Sequence, residues 1–139
     1  MTIGIRPDRG FALPDGEWLR QVSNGNNFTY QSGVVAKASG TQANGTVLSA
    51  VVCMWEVDTV ATTGDSVVLP FAIAGQSKSL FNNGAQTLNI YASASNNPVT
   101  GTTDVINKLT NVTAYTLTTG QTADFSCAKN GTWFACKSA

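Results

Sequence analysis

The chain has 139 residues, of which 42% are hydrophobic, only 12% are charged and none is histidine, and its formal net charge is zero. That length carries about one domain with a core large enough to need neither a metal nor a dense disulfide net, and the hydrophobic share excludes a disordered chain. The cations Arg6, Arg9, Arg20, Lys37, Lys78, Lys108, Lys129 and Lys137 are scattered apart from the Arg6/Arg9 pair, which excludes the clustered charge of a nucleic-acid binder, and no run approaches the roughly 18 apolar residues that span a bilayer.

Residues 1–45 are weakly patterned. Pro7, Gly10, Pro14, Gly16 and the Asn24-Gly25-Asn26-Asn27 cluster interrupt any periodicity. Apolar residues, among them Ile3, Ile5, Phe11, Leu13 and Trp18, sit between the breakers. The segment reads as an extended N-terminal arm or a set of short strands. Its aromatics need a surface to cover them, which makes these five residues candidates for contact with a partner or another copy. The first residues lack the apolar centre of a signal peptide, so the expected place of synthesis is the cytoplasm of the producing cell.

Residues 46–139 read as one antiparallel β domain. Thr46 to Val60 holds no Gly or Pro and many β-branched residues, which are stiff in helices. Fifteen residues exceed an ordinary strand, so a bend or bulge is predicted near Cys53. Thr63-Gly64-Asp65 makes a turn. Ser66 to Leu69 is a short strand stopped by Pro70, and Ser77 to Phe81 is the next. Asn82-Asn83-Gly84 turns the chain into Thr87 to Tyr91, where Leu88 and Ile90 share one face. Residues 92–103 form a long polar loop open to motion or partner contact. Val112 to Leu117 alternates as a strand, and Thr119-Gly120 turns it.

The C-terminal element is a hairpin. Asn130-Gly131 suits a type I′ turn, which pairs Lys129 with Thr132, Cys127 with Phe134 and Phe125 with Cys136. The predicted core face is Phe125, Cys127, Phe134 and Cys136. No internal repeat is visible. The expected fold is therefore all-β, a compact antiparallel sandwich or barrel-like domain with an extended N-terminal arm.

Chemistry is hard to place on these residues. Without histidine the commonest general base, nucleophile activator and metal ligand are missing. Cys53, Cys127 and Cys136 lack Cys-x-x-Cys spacing. An odd number of cysteines without an export signal argues against a disulfide framework. Cys127 and Cys136 read as reduced, core-packed thiols. Glu56 and Asp58, two apart in a strand, share a face and could serve glycoside hydrolysis or calcium binding, but they read first as a solvated strand face. Trp18, Trp55 and Trp133 could stack on sugars, but read first as core anchors. No catalytic residue, cofactor or metal site is expected.

An ordered series gives the chain its one wider likeness. It runs Gly40-Thr41-Gln42 and Leu48, then Val57-Asp58-Thr59-Val60-Ala61-Thr62-Thr63-Gly64-Asp65-Ser66-Val67-Val68-Leu69-Pro70, then Gly75 and Phe81-Asn82-Asn83-Gly84. It continues through Leu88-Asn89-Ile90-Tyr91, Asp104-Val105-Ile106-Asn107, Leu117 to Thr122, Phe125 and Gly131-Thr132-Trp133. With this series residues 41–136 resemble the head decoration (cement) proteins of tailed bacteriophages. Ala92 stands where the resemblance implies Pro. The resemblance implies a non-enzymatic β domain that is often trimeric. It also implies a virion location on the capsid surface, with the major capsid protein as partner and neither nucleic acid nor membrane involved. The alternatives are a receptor-binding or tail-tip module and, after it, a carbohydrate-binding protein or enzyme using Glu56, Asp58 and the tryptophans.

Overall fold

A computed structural model of the protein describes residues 5–6, 10–11 and 29–139. Every regular element among them is a strand, so the all-β expectation holds. A two-residue pair, β1 (Ile5–Arg6) and β2 (Gly10–Phe11), forms a sheet of its own. The chain then alternates between two larger sheets. Strands β3 (Tyr30–Val35), β5 (Met54–Thr59) and β7 (Ser77–Asn82) lie side by side in one, and β4 (Thr46–Val47), β6 (Ser66–Val68) and β8 (Leu88–Tyr91) in the other.

Each step from one sheet to the other and back is a coil of about two dozen residues. Tyr30 aligns with Met54 and Met54 with Ser79, while Thr46 aligns with Val67 and Val67 with Ile90. All of these pairings are parallel. The domain is therefore solenoid-like, with mixed sheets, where the sequence reading expected an antiparallel sandwich or barrel. A parallel pair of strands needs a crossover, and here the strand in the opposite sheet is that crossover. Between the strands of these two sheets, antiparallel pairing enters only after the third coil. Strand β10 (Tyr115–Leu117) turns back along β8, and β11 (Thr122–Lys129) turns back along β7. Strand β12 (Thr132–Lys137) pairs with β11, and β9 (Val105–Ile106) closes that sheet's edge in parallel with β12.

One core draws on both sheets: Trp55, Val57 and Leu80 meet Val67, Leu88 and Ile90, all nearly inaccessible. Strand β8 alternates as read, with Leu88 and Ile90 buried and Asn89 and Tyr91 half-buried. The Thr46–Val60 run does break before Cys53. Two residues of it serve β4 in one sheet and six serve β5 in the other. Three aromatics at the far end are held edge-to-face, with Tyr115 against Phe125 at 5.9 Å and Phe125 against Trp133 at 6.4 Å.

The β11–β12 hairpin differs from its predicted register. Lys129 does pair with Thr132, but Ser126 then pairs with Phe134 and Phe125 with Ala135. Cys127 and Ala128 together oppose Trp133, which is a β-bulge. One extra residue on β11 flips the rest of β12 by one position, so its two faces exchange. Phe125, Cys127 and Trp133 face the core, with Ala135 packed against it; Phe134 and Cys136 face out. The turn itself carries positive φ at Gly131 (86°) and not at Asn130, so it is not type I′.

Candidate interaction surface

Of the five residues read as contact candidates, Ile3, Leu13 and Trp18 lie outside the described residues. Ile5 and Phe11 are partners in the β1–β2 pair, and their side chains also lie outside what is described. Asp8, Asp15 and Glu17 lie outside it too.

Among the described residues no three of His, Cys, Asp and Glu come close enough to hold a metal ion. Glu56 and Asp58 do share the outer face of β5. The Asn83 amide donates to both, at 3.1 and 3.2 Å, and Asp58 also accepts from the Gly33 amide. Their oxygens are used to fasten the β7–β8 turn and β3 to the strand between them. Trp55 and Trp133 are 2% and 0% exposed, so neither offers a face to a sugar. The indole of Trp133 donates to the Pro70 carbonyl at 3.1 Å, and the Lys78 ammonium lies 5.6 Å above the ring of Trp55. Lys78 also donates to the carbonyls of Ala50 and Val52, both at 2.6 Å. Burial pushes its pKa below the ordinary lysine range. Cys53, Cys127 and Cys136 are all free thiols. Cys127 packs in the core as expected, and burial pushes its pKa up, which keeps it protonated and unreactive. Cys136 does not, because the bulge turns it outward.

The residues behind the resemblance are mostly internal fastenings. Asp65 is 2% exposed and accepts hydrogen bonds from the amides of Ser39, Ala61 and Thr62 and from the Thr62 hydroxyl. These donors, the Thr62 hydroxyl first, hold its carboxyl below the usual range against the opposing effect of burial. The buried Asn82 donates to the carbonyls of Gln86 and Leu117 and accepts from Gly84. Asn107, at φ 53°, both donates to and accepts from the main chain of Ala135, acting as one more rung beyond β9. A Cβ on Gly84 would stand 2.5 Å from the Val60 nitrogen, so no larger residue fits there.

The polar loop 92–103 is tied down rather than free. Asn97, fully buried, donates to the Ala72 carbonyl and to Asp104, and the Asp104 carboxylate accepts from the Ala72 amide at 2.8 Å. Asn and Asp side chains here complete the ladder that a strand would have supplied.

Of the large apolar side chains exposed among the described residues, Val99, Val112 and Phe134 lie elsewhere and five lie in the first coil. Tyr30, Val35, Val47, Val51 and Met54 are 74, 57, 74, 80 and 47% exposed. All five belong to the first coil, on β3, β4, the start of β5 and their connection. Strands β3 and β4 are edge strands, each paired on one side only among the described residues. Beside them lies a groove of about 750 Å³, floored by Leu48, Leu69 and Pro70 and walled by Phe71, Ile73 and Pro98. The opposite end of the stack is closed by β10 and β11. The sequence reading missed this surface, because Val47, Val51 and Met54 fall in a continuous β-branched run whose faces cannot be told apart by alternation.

No protein-family model matches the chain, and no curated protein matches it.

Proposed function

We propose that this is a non-enzymatic structural protein of a tailed-bacteriophage virion, a decoration (cement) protein that binds and stabilises the assembled head. On this reading it is made in the host cytoplasm and ends on the capsid surface. The major capsid protein is its partner, it assembles as a homotrimer, and residues 1–45 supply much of the contact.

The observation that carries the reading is the group of exposed apolar side chains on the first coil. Five large exposed apolar side chains on one coil favour a protein-binding face. A composition with 12% charged residues lowers the desolvation cost of wide contact. The resemblance to decoration proteins rests on residues that fasten coils together, so it speaks to architecture, and no catalytic set accompanies it. A trimer on threefold and quasi-threefold positions would let weak contacts act together.

The test is to add labelled protein to purified undecorated heads and image the particles. Label over the head surface at regular positions is expected. Label confined to the tail tip would replace this reading with the receptor-binding one, and no particle-bound label would overturn both.

A further inference from the structure

We propose that the asparagine-glycine pairs Asn44-Gly45, Asn83-Gly84 and Asn130-Gly131 are latent deamidation sites that the fold holds shut, so that their side-chain amides convert to acids only when the chain opens. The inference is independent of the decoration reading and concerns the chemical lifetime of the protein. A fourth pair, Asn24-Gly25, lies outside the described residues.

Deamidation begins when the backbone nitrogen of the following residue attacks the asparagine Cγ. A bond forms between that nitrogen and Cγ, the Cγ–Nδ2 bond breaks, and the proton lost by the attacking nitrogen leaves with the amide group as ammonia. Water then opens the cyclic imide. Cleavage at Cγ gives aspartate, and cleavage at the main-chain carbonyl gives isoaspartate, with the chain rerouted through the side chain. Glycine is the most reactive follower because no Cβ hinders the approach. The attacking nitrogen must first shed its proton, and the side chain must be free to turn toward it.

The structure opposes both steps at all three pairs. Gly45 donates its amide to the Thr41 carbonyl at 2.8 Å, Gly84 to the Asn82 side-chain oxygen at 3.0 Å and Gly131 to the Ala72 carbonyl at 2.9 Å. Such a bond favours the protonated nitrogen, since the anion left behind would face the lone pairs of that oxygen. All three glycines are buried. A Cβ would stand 2.7 Å from the Ser66 hydroxyl at Gly45, 2.5 Å from the Val60 nitrogen at Gly84 and 3.2 Å from the Thr100 methyl at Gly131, so the main chain has little room to swing. The side chains are tied as well. Asn44 Oδ1 accepts from the Thr41 amide at 2.6 Å, Asn83 Nδ2 donates to Glu56 and Asp58 at 3.1 and 3.2 Å, and Asn130 Oδ1 accepts from the Ala74 amide at 2.7 Å. Conversion at Asn83 would put a third carboxylate where the donor to Glu56 and Asp58 now stands, so the native fold and the intact amide support each other.

Peptide mapping by mass spectrometry tests this on the full-length protein, incubated folded and urea-unfolded in the same mildly alkaline buffer. All three pairs are expected to convert in urea, and at least about tenfold more slowly in the folded protein, where reaction waits on local opening. Conversion of any of the three in the folded protein at its unfolded rate would overturn the proposal, as would their failure to convert in urea. Ala74→Pro tests the side-chain bonds separately. Ala74 precedes Gly75 in a turn closed by the Gln76 amide on the Ile73 carbonyl at 3.2 Å, and Gly75 has φ 94°, the type II pattern that accepts proline before the glycine. Proline removes the amide that holds Asn130, so conversion there should rise several-fold in the folded variant while Asn44 and Asn83 keep the parent rate. An unmoved Asn130 rate, with circular dichroism like the parent's, would overturn the role given to the side-chain bonds. Hydrogen exchange on the parent gives a second reading that needs no variant. The Gly45, Gly84 and Gly131 amides should be protected, and unprotected exchange at any of them would overturn the closure of that pair.

Discussion

Single residues stabilise this fold chiefly by replacing backbone ladders where strands are short. Asp65 is the clearest example, a buried carboxylate ringed by four donors. Its folded pKa lies below the ordinary value, so its contribution is fully present above the unfolded pKa near 4 and is lost as pH falls through the lower folded value. Asp65→Asn is expected to be destabilising at pH 7 and to flatten the acid limb of the stability curve, measured as urea midpoints between pH 7 and pH 2. An unchanged acid limb would show that other groups govern it. Gly84 makes a steric counterpart. Gly84→Ala drives a methyl group into Val60 and is expected to cost about 1–3 kcal/mol; chemical denaturation measures it. Both residues were visible in the sequence as turn residues. Their necessity was not, because it comes in part from Val60 and Ser39, brought beside them by the coil.

The hairpin of β11 and β12 separates what an element's pattern reveals from what it hides. Its strands and turn position were readable from Asn130-Gly131 and the flanking apolar residues. Its register was readable only at the tip, because a bulge at Cys127 and Ala128 leaves no mark in composition. The two registers predict opposite outcomes at adjacent residues. Trp133 is fully buried, so Trp133→Ala should cost about 3–5 kcal/mol. Phe134 is 48% exposed, so Phe134→Ala should cost less than about 1 kcal/mol. Denaturant midpoints of the two variants test this, and a reversed order would restore the unbulged register. The loop 92–103 was read as a polar connection, which it is. Its anchoring by Asn97 and Asp104 depends on Ala72, a contact across 25 residues that no local pattern encodes. Asn97→Ala leaves the Ala72 carbonyl and an Asp104 oxygen without that donor and should cost about 1–3 kcal/mol, again readable by denaturation.

For the molecule as a whole, stacked coils predict a gradient of protection. Strands β5, β7 and β11 are paired on both sides, while β3 is an edge. Amide hydrogen exchange should be slowest in the first three and distinctly faster in β3, since edge amides open without breaking the core. Equal protection of β3 and β5 would argue against an edge position for β3.

The sequence alone determined that this protein is all-β and where most strands lie. Those properties follow from β-branched runs, turn residues and two-residue alternation, all of them local. It also showed a chain with 12% charged residues and no histidine. Only the tertiary structure decided the rest. A coil repeat carried by position rather than by identical residues left no visible periodicity, since Thr46, Val67 and Ile90 occupy one stacked column with three different side chains. Parallel pairing between residues about two dozen apart cannot be read from short-range patterns, and a single bulge inverted a strand. The apolar face of the first coil emerged for the same reason. Whether a valine in a β-rich run is core or surface depends on which sheet edge its strand comes to occupy, and that is settled only when the coils stack.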